Sequence, residues 1–350
     1  MFYHIITNTE CNLECKYCVR DEWGEVDSKI DYTIPCKISY DLKKLKEFIT
    51  EEDYITFYGG EPLLAIDDIK KIMDTIKCKG FMTQTNGMFL DKLGDYVSRF
   101  HTILVSIDGD EEITDKNRGK GVHKKVMDNV KLIKNKFKGE LIARMTISKD
   151  SDVYKQVLWL NENGFENIHW QLDAMFFEQR DEWLTDYNKQ IDRLIDEWVL
   201  RMEKGKVERW YPFLVIMDSI LKKEKSKLRC GSGYANYTIA TNGKIAPCPI
   251  MCGYKNYYSG DLDSKKLKEC HVGEPCTSCE ELDICGGRCL YSNITKLWDK
   301  NDYKELCGTV KFLIKKLKEK EEKIRNLISN NKISLEQFKH MKFNGVEVIP

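Results

Sequence analysis

The stretch CNLECKYC, residues 11–18, places Cys11, Cys15 and Cys18 close together near the start of the chain. Three thiolates at this spacing can each bind one iron of a cubic iron–sulfur cluster, which leaves the fourth iron without a protein ligand. Such an open iron is a place for chemistry, because another molecule must complete its coordination. Two other interpretations fit these residues: part of a tetrahedral zinc site with His4 as a further ligand, or unrelated buried thiols.

The length and composition predict about two domains of roughly 100–200 residues each. Of the 350 residues, 42% are hydrophobic, which is enough for a large core. The 56 basic residues balance the 56 acidic ones, so the chain lacks the net charge that favours nucleic acid or an anionic membrane. We therefore expect neither nucleic acid nor a membrane among its partners.

Apolar segments and cysteine usage predict a cytoplasmic protein. No apolar stretch approaches the ~18–20 residues of a membrane span, and the start MFYHIITNTE does not read as a signal peptide. In a reducing compartment, the 14 cysteines indicate metal binding or catalysis rather than disulfides. Nine of them lie between Cys230 and Cys307, whereas Cys36 and Cys78 stand apart and are expected to be ordinary buried thiols.

Residues 1–183 alternate short apolar stretches with amphipathic helical patterns. Behind Asp41, a candidate helix cap, Leu42, Leu45 and Phe48 recur at helical spacing. Repeated strand–helix units predict an α/β fold with parallel strands, open or curled into a barrel, whose chemistry lies at the carboxyl ends of the strands. The predicted strands are Phe2–Thr7, Tyr54–Tyr58, Gly80–Thr85, Thr102–Ile107, Leu141–Ile147 and Asn167–Leu172.

The remainder of the chain divides into three predicted parts after this core. Residues 184–225 are helical and aromatic-rich, and we expect them to bridge two domains. Residues 226–310 are cysteine-dense with little apolar periodicity, which predicts a small domain held together by metal. Residues 311–350 begin as a helix of alternating Lys and Glu, typical of a solvated surface, and end as a tail.

A Gly-Gly pair follows the second predicted strand, in the run FYGGEPLL. Glycines let a backbone approach a ligand closely, and carbonyls turned toward it can accept hydrogen bonds from an ammonium group. Together with the three-cysteine run, this element resembles the radical S-adenosylmethionine (radical SAM) superfamily. The resemblance implies a partial (β/α)6 barrel and a 4Fe–4S cluster with an open iron. It also implies that the amino group of S-adenosylmethionine is bound by Gly59, Gly60, Glu61 and Pro62.

Polar residues at the ends of later strands are assigned by the same resemblance. TQTNG (83–87) and VSIDG (105–109) place small polar groups where a ribose could be hydrogen-bonded, and Tyr17 stands at the family's aromatic position beside adenine. Arg144 lies among apolar neighbours and needs an anionic partner, either the methionine carboxylate or a structural salt bridge. The further cofactor contacts expected are Thr85, Asn86, Ser106, Arg118 and Arg144.

The resemblance also implies the chemistry. One electron from the reduced cluster cleaves bound S-adenosylmethionine, and the resulting 5′-deoxyadenosyl radical removes a hydrogen atom from the substrate. The protein supplies positioning and excludes water. Asp108 and Asp173, at the ends of the fourth and sixth strands, are the candidate catalytic acids for proton transfer, although each also fits a cap or turn.

The carboxyl-terminal cysteines follow a fixed order. Cys230 is followed by twelve residues, Gly243, four residues and Cys248, then by CTSCEELDICGGRC and Cys307. Asn242-Gly243 predicts a type I′ hairpin turn that carries Cys248 back toward Cys230. CxxC pairs commonly form zinc ribbons, but a thiolate-only set in a chain with an iron–sulfur signature favours iron. The order resembles the SPASM domain, which implies two auxiliary 4Fe–4S clusters.

The SPASM resemblance implies a ligand set for each auxiliary cluster. Relatives with a fully ligated inner cluster use an additional cysteine a few residues before Cys230, where this chain has KEKSKLR. Either one iron is open or another cysteine fills the place, with Cys252 the first candidate and Cys270 the second. The inner ligands are expected to be Cys230, Cys248, Cys289 and Cys252. The outer ligands are expected to be Cys276, Cys279, Cys285 and Cys307.

Most relatives with this domain order modify ribosomally made peptides. The resemblance therefore implies a peptide or small protein substrate and products such as thioether or carbon–carbon crosslinks, epimerised centres or oxidised side chains. Anaerobic sulfatase maturation is disfavoured, because that group has an aspartate after the second SPASM cysteine and this chain has Pro249. A porphyrin-type small-molecule substrate and a non-enzymatic electron carrier or zinc module are the alternatives.

Two kinds of partner are implied as well. A low-potential electron donor of the ferredoxin or flavodoxin type would reduce the cluster. Many peptide-modifying relatives grip a leader peptide with an added amino-terminal domain, and only ten residues precede Cys11 here. We therefore expect leader recognition, where it is needed, from a separate protein or from residues 184–225.

Overall fold

The computed structural model describes residues 1–18, 30–173, 181–295 and 300–350. The strands are β1 (Phe2–Asn8), β2 (Tyr54–Gly59), β3 (Gly80–Thr85), β4 (Phe100–Ser106), β5 (Glu140–Ile147), β6 (Asn167–Leu172), β7 (Arg209–Trp210), β8 (Asn236–Ile239), β9 (Lys244–Ala246) and β10 (Gly260–Asp261). The α-helices are α1 (Leu42–Phe48), α2 (Ile66–Thr75), α3 (Glu111–Arg118), α4 (Val122–Ile133), α5 (Val153–Glu162), α6 (Asp181–Glu203), α7 (Tyr211–Lys222), α8 (Leu282–Cys285), α9 (Leu290–Thr295) and α10 (Lys300–Ser329). The 3₁₀ helices are Pro62–Ala65, Leu90–Arg99, Pro249–Met251, Lys255–Tyr257 and Leu335–Phe338.

The first six strands and the helices between them confirm the predicted α/β order. β3 and β6 agree to the residue with the predicted strands, and the other four differ by one or two residues at their ends. Asp41 caps α1 as predicted, because its carboxylate accepts from the N–H of Lys43 at 2.9 Å. The alternation of strand and helix up to β6 is the chain order of a (β/α)6 arrangement.

The structure divides into two compact units. The first contains seven strands in the order β10-β9-β8-β1-β2-β3-β4. β1 to β4 run parallel, and β8 also runs parallel to β1, with Phe2 opposite Asn236. In its core Phe57 stacks on Phe81, with ring centroids 5.9 Å apart. This unit consists of Met1–Ile107, Thr114–Leu141 and Gly231–His271.

In the second unit, β5, β6 and β7 pair in parallel, and α10 packs against α6 and α7. Trp170 of β6 meets Phe213 of α7 edge-on at 5.2 Å between ring centroids, and Trp198 of α6 packs on the same ring at 5.6 Å. The aromatic-rich stretch 184–225 thus contributes to the core of this unit. The domain boundaries expected from the sequence stay a prediction. The unit consists of Asp108–Ile113, Ile142–Cys230 and Val272–Pro350.

The predicted hairpin forms from the antiparallel strands β8 and β9, but its turn type was predicted wrongly. A type I′ turn needs positive φ at both central residues. Gly243 has a φ of 82°, whereas Asn242 is not among the residues with positive φ. The N–H of Gly243 donates to the carbonyl of Ala240 at 2.9 Å, so the loop is longer than two residues and one left-handed glycine suffices. The hairpin returns the chain to Gly233, whose N–H donates to the carbonyl of Pro247 at 3.0 Å.

Within the described ranges, no α-helix combines the length and apolarity that a membrane span requires. Among the described helices the longest, α10, spans 30 residues and is rich in Lys and Glu in its second half. The cytoplasmic location stays a prediction.

Candidate active site

The loop after β2 lies directly on the backbone that precedes the first cysteine. The N–H of Gly60 donates to Asn8 O at 2.9 Å, and that of Glu61 donates to Glu10 O at 2.8 Å. A Cβ atom added to Gly59 would lie 2.1 Å from Asn8 O, and one added to Gly60 would lie 2.2 Å from Glu10 O. The two glycines therefore permit a backbone contact that a side chain at either position would prevent.

Glu61 anchors this loop from a fully buried position. One carboxylate oxygen accepts from the N–H of Leu63 at 2.9 Å and the hydroxyl of Thr85 at 2.6 Å. The other accepts from the N–H of Asn86 at 2.7 Å. Burial raises the pKa of Glu61, and these three hydrogen bonds oppose that shift. The Glu61 carboxylate thus holds the loop against the end of β3, and Pro62 begins the following 3₁₀ helix.

Asn86 connects the end of β3 with the first cysteine. Its side-chain nitrogen lies 3.7 Å from the sulfur of Cys11 and 2.8 Å from the side-chain oxygen of Asn12. Its own side-chain oxygen accepts from the N–H of Met88 at 3.0 Å. The N–H of Leu13 is also directed at the Cys11 sulfur, at 3.5 Å. Hydrogen bonds to sulfur are among the factors that set the reduction potential of an iron–sulfur cluster.

The rest of the three-cysteine loop is a tight turn beside an arginine. The N–H of Cys18 donates to the carbonyl of Cys15 at 3.0 Å. The guanidinium of Arg118 lies 5.3 Å from the centroid of the Tyr17 ring, within the range of a cation–π contact. The structure thus brings these two expected cofactor contacts together, while Ser106 lies at the end of β4. Their roles toward S-adenosylmethionine stay predictions.

The two candidate catalytic acids lie near each other in the second unit. Asp108 is fully buried and accepts from the N–H of Thr146 at 2.9 Å. The N–H of Asp173 donates to the carbonyl of Ile147 at 2.9 Å. Burial raises the pKa of the Asp173 carboxyl, and the nearby Asp108 raises it further. The two carboxyls therefore share one environment at the ends of β5 and β6.

Arg144 is held by the carboxyl-terminal tail and β6. Its guanidinium donates to the carbonyl of Gly345 at 2.7 Å and to the side chain of Gln171 at 2.8 Å, and it lies 3.1 Å from Nδ1 of His169. Burial, and then Arg144, lower the pKa of His169 well below its usual value, and its Nε2 lies 2.9 Å from the carbonyl of Val348. These three contacts are with neutral groups and are not the salt bridge that was the structural alternative for Arg144, and its role toward the methionine carboxylate stays a prediction.

The four cysteines of the expected outer set influence one another electrostatically. The pKa of Cys307 is raised to about 11: burial is the largest cause, Arg288 opposes it, and the sulfurs of Cys276, Cys285 and Cys279 add to the rise. Because such influences fall with distance, the four thiols lie in one neighbourhood of the second unit. This grouping is what the SPASM resemblance predicts for the outer ligands. The cluster itself stays a prediction.

The loop after Cys285 directs N–H groups at its sulfur. Gly286, Gly287 and Arg288 have positive φ values of 72°, 94° and 54°. The N–H groups of Gly287 and Arg288 bond to the Cys285 sulfur and oppose the burial that raises the pKa of this thiol. A Cβ atom at Gly286 would lie 2.1 Å from the carbonyl oxygen of Lys227, so this glycine permits close packing. Concavities of successive backbone N–H groups are typical of iron–sulfur and other anion sites.

Asn293 makes the corresponding contact among the carboxyl-terminal cysteines. Its side-chain nitrogen donates to the sulfur of Cys276 at 3.4 Å and to the carbonyl of Gly273 at 3.0 Å. Its side-chain oxygen accepts from the N–H of Gly273 at 2.7 Å. Asn293 is 1% exposed, so its carboxamide is fixed in this orientation. A buried asparagine therefore directs its side-chain NH₂ group at a cysteine sulfur in both the amino-terminal and the carboxyl-terminal set.

Among the inner candidates, Cys248, Cys252 and Cys270 belong to the first unit. The N–H of Cys270 donates to the carbonyl of Gly233 at 3.0 Å, and the N–H of Gly233 donates at 3.0 Å to the carbonyl that precedes Cys248. Cys252 has a different environment, where burial, and to a smaller extent Asp31, raise its pKa to about 12. These contacts favour Cys270 as the neighbour of Cys248. The ligand roles expected of Cys230, Cys248, Cys252 and Cys289 stay predictions.

The cysteine sites fit iron–sulfur clusters by the chemistry of their donors. All 14 cysteines are free thiols. Among the residues that the structure describes, no three Cys, His, Asp or Glu side chains are grouped to hold a single metal ion. The thiolates of a cubic cluster bind separate irons, so a cluster needs no such group, and N–H groups directed at sulfur suit it. The fold and these residues define an α/β protein with iron–sulfur-type cysteine sites.

Comparison with known proteins identifies the superfamily. Residues 5–154 match the Radical SAM superfamily, so the chain contains a radical SAM domain and the expected family is confirmed. The radical SAM cyclopropyl synthase TigE of Paramaledivibacter caminithermalis is 22% identical to this chain over 367 residues. That alignment covers 91% of this chain and 74% of TigE.

Solved structures share the fold over most of the chain. The structure of anSMEcpe with bound AdoMet and Kp18Cys peptide has a TM-score of 0.72 at 20% identity, covering 93% of this chain and 99% of that one. Streptococcus suis SuiB bound to the precursor peptide SuiA has a TM-score of 0.56 at 15% identity, covering 84% and 72%. The predicted fold class, a radical SAM partial barrel followed by a cysteine-rich SPASM domain, is confirmed.

Three residues near the cysteines were missed by sequence analysis: Asn12, Arg229 and Asn293. Arg229 is buried, and its guanidinium donates to the carbonyl of Ile284 at 2.7 Å. Arg229 directly precedes Cys230 and Ile284 directly precedes Cys285, so this hydrogen bond connects the two cysteine segments. A single asparagine or arginine forms no spacing pattern that sequence analysis could recognise. The one available indication of a role was that each residue lies close in sequence to a predicted ligand.

Proposed function

We propose that this chain cleaves S-adenosylmethionine reductively and uses the resulting radical to abstract hydrogen from a peptide or small protein, as a post-translational modification. The observation that carries the proposal is the likeness of fold, over 93% of the chain, to a radical SAM enzyme solved with both AdoMet and a peptide. The likeness to SuiB with its precursor peptide supports the same substrate class. TigE supports a ring-forming or crosslinking outcome.

The residues of the first unit would bind and orient the cofactors. Cys11, Cys15 and Cys18 would hold the 4Fe–4S cluster, and the backbone carbonyls of Gly59 and Gly60 would accept from the amino group of S-adenosylmethionine. When bound, the reduced cluster and S-adenosylmethionine supply a 5′-deoxyadenosyl radical. The contact of the loop after β2 with the backbone before the first cysteine supports a shared site for both groups.

Asp108 and Asp173 of the second unit would transfer protons to or from the substrate. The raised pKa of Asp173 suits a group that takes or releases a proton near its carboxyl oxygens. Asp108, held by the N–H of Thr146 at 2.9 Å, would keep its carboxyl beside that of Asp173. This pair supports a reaction in which a substrate proton is lost or gained after hydrogen abstraction.

The remaining groups would serve electron transfer and partner binding. The outer thiols at Cys276, Cys279, Cys285 and Cys307 would hold one auxiliary 4Fe–4S cluster, and the inner set a second. A ferredoxin- or flavodoxin-type protein would deliver the first electron. A separate leader-binding protein would present the peptide where a leader is present.

The cofactor part of the proposal is tested by turnover of S-adenosylmethionine alone. Anaerobically reconstituted protein with dithionite is expected to release 5′-deoxyadenosine, measured by liquid chromatography and mass spectrometry. Replacing Cys11, Cys15 and Cys18 together by alanine should abolish this release. Cys36→Ala is the matched control, because Cys36 is outside every expected ligand set and is exposed, so the expectation of a buried thiol was wrong for this residue. Equal release from the triple variant would refute the proposal.

The substrate part is tested by co-expression. Small peptides encoded beside this chain are expressed with it anaerobically and examined by intact mass. A loss of two hydrogens would identify a crosslink or oxidation, and deuterium uptake without mass loss in ordinary water would identify epimerisation. Release of 5′-deoxyadenosine with no change in any peptide or added protein, but with turnover of a porphyrin, would overturn the peptide assignment.

A further inference from the structure

The carboxamide of Asn86 has a fixed orientation at the Cys11 sulfur. Asn86 directly follows β3 and is 8% exposed. Its side-chain oxygen accepts from the N–H of Met88 at 3.0 Å, so its NH₂ group must face the other way. There it lies 3.7 Å from the Cys11 sulfur and 2.8 Å from the side-chain oxygen of Asn12. The geometry makes Asn86 a donor to Cys11 rather than an acceptor.

The backbone of Asn86 is fixed by the loop after β2. Its N–H donates to one oxygen of Glu61 at 2.7 Å, and Glu61 is fully buried. The neighbouring Thr85 hydroxyl donates to the other oxygen at 2.6 Å. The loop that is expected to bind the amino group of S-adenosylmethionine is thus connected to the Cys11 sulfur through two side chains, Glu61 and Asn86.

We infer that Asn86 is a positioning residue that raises the reduction potential of the amino-terminal cluster by donating a hydrogen bond to Cys11, and that Glu61 holds it there. A donor to a thiolate ligand withdraws electron density from the sulfur and so favours the reduced cluster. This inference rests on the proposed function, because it concerns the cluster that the three amino-terminal cysteines would hold. It gives Asn86 a role that differs from contact with the ribose.

Asn86→Asp removes the N–H donor while keeping the shape of the side chain. Aspartate has the same shape and still accepts from the N–H of Met88, but it presents an oxygen to Cys11. The carboxamide of the exposed Asn12 can turn to donate to that oxygen, so the loop is expected to keep its fold. The ratio of reduced to oxidised cluster at a fixed solution potential is expected to fall about tenfold, which is 59 mV for a one-electron couple. Asn86→Ala removes the donor without adding charge and is expected to shift the potential in the same direction.

The measurement is a redox titration followed by electron paramagnetic resonance, using the cluster signal that S-adenosylmethionine alters. Iron and sulfide contents are measured for every variant. Asn293→Asp is the matched control, because Asn293 makes the same kind of contact, at 3.4 Å, to the sulfur of Cys276 among the carboxyl-terminal cysteines. It is expected to leave the S-adenosylmethionine-sensitive signal at its original potential.

The outcomes separate this inference from the proposed function. If the unchanged chain has no signal that responds to S-adenosylmethionine, the proposed function fails. If that signal is present and both Asn86 variants titrate at the original potential with full iron content, the inference is wrong. Loss of the cluster in both variants would also overturn it, because Asn86 would then be needed for assembly rather than for tuning.

Discussion

Replacing Glu61 by glutamine is expected to loosen the connection between the loop after β2 and the end of β3. A glutamine has one acceptor oxygen, so its NH₂ group must face either Asn86 N–H or the Leu63 and Thr85 donors. Facing Asn86, it loses a charge-assisted bond of about 1.5–3 kcal/mol and leaves a buried donor unpaired at about 1–3 kcal/mol. The burial that raises the pKa of Glu61 opposes this loss, so we expect the lower end of the sum, about 2.5 kcal/mol.

Hydrogen–deuterium exchange with mass spectrometry measures this local free energy. Because about 1.4 kcal/mol corresponds to a tenfold change, the Asn86 amide of E61Q should exchange about 60-fold faster than in the unchanged chain, whereas the Leu63 amide, which keeps the glutamine oxygen as acceptor, should change less. Glu47→Gln is the matched control. Glu47 is exposed on α1, and its ion pair with Lys43 is 4.0 Å long, so its loss should leave exchange unchanged.

Unchanged protection of Asn86 in E61Q would refute this reasoning. It would mean that the backbone contacts of Gly60 and Glu61 hold the loop without the carboxylate. Faster exchange across the whole first unit, rather than at the two bonded amides, would also contradict it, because the predicted effect is confined to the partners of one side chain.

Two further predictions concern the acids and the inner cluster. Asp173→Asn should retain 5′-deoxyadenosine release but lose modified peptide. Because burial and Asp108 raise the Asp173 pKa, its base form is lost as pH falls through that raised value, so product per cleaved S-adenosylmethionine should decline at higher pH than for an ordinary aspartate. A raised pKa also means that stability from the neutral carboxyl is lost as pH rises through it; thermal unfolding should show this in the unchanged chain and not in Asp173→Asn. Cys270→Ala is expected to lower iron content whereas Cys252→Ala is not; equal contents in both would contradict the assignment.

The parallel strands were readable from the sequence because they are buried on both faces. Most of their residues are buried, and Gly80–Thr85 and Asn167–Leu172 were predicted to the residue although both contain polar side chains. The pairing of β8 with β1 was not predicted, because Phe2 and Asn236 are far apart in the chain and a strand's own pattern does not name its partner. The hairpin turn was predicted with the wrong type because loop length, and not the Asn-Gly pair alone, selects it.

The candidate site was predictable where ligands recur at fixed spacing. The cysteines and the Gly-Gly-Glu-Pro run carry such spacing, and the influence of Cys276, Cys279 and Cys285 on the pKa of Cys307 agrees with the expected outer set, whose ligand roles stay predictions. The donors to sulfur were not predictable in this way. Asn86 was assigned to the ribose and Asn293 was not noticed, because each acts through a single contact that only the folded chain creates.

Arg144 shows how the fold can satisfy a charge in a way that the sequence does not suggest. An arginine in an apolar strand is costly unless it is bonded, and a carboxylate was the expected partner. Neutral acceptors also serve: the carbonyl of Gly345 and the side chain of Gln171 lie within 2.7 Å and 2.8 Å of the guanidinium. With Nε2 donating to Val348, Nδ1 of His169 is free to accept from Arg144, which requires a neutral imidazole and agrees with its lowered pKa. Gly345 and Val348 therefore supply acceptors to Arg144 of β5 and His169 of β6, so the polar groups of these two strands are satisfied by a segment that is distant in sequence.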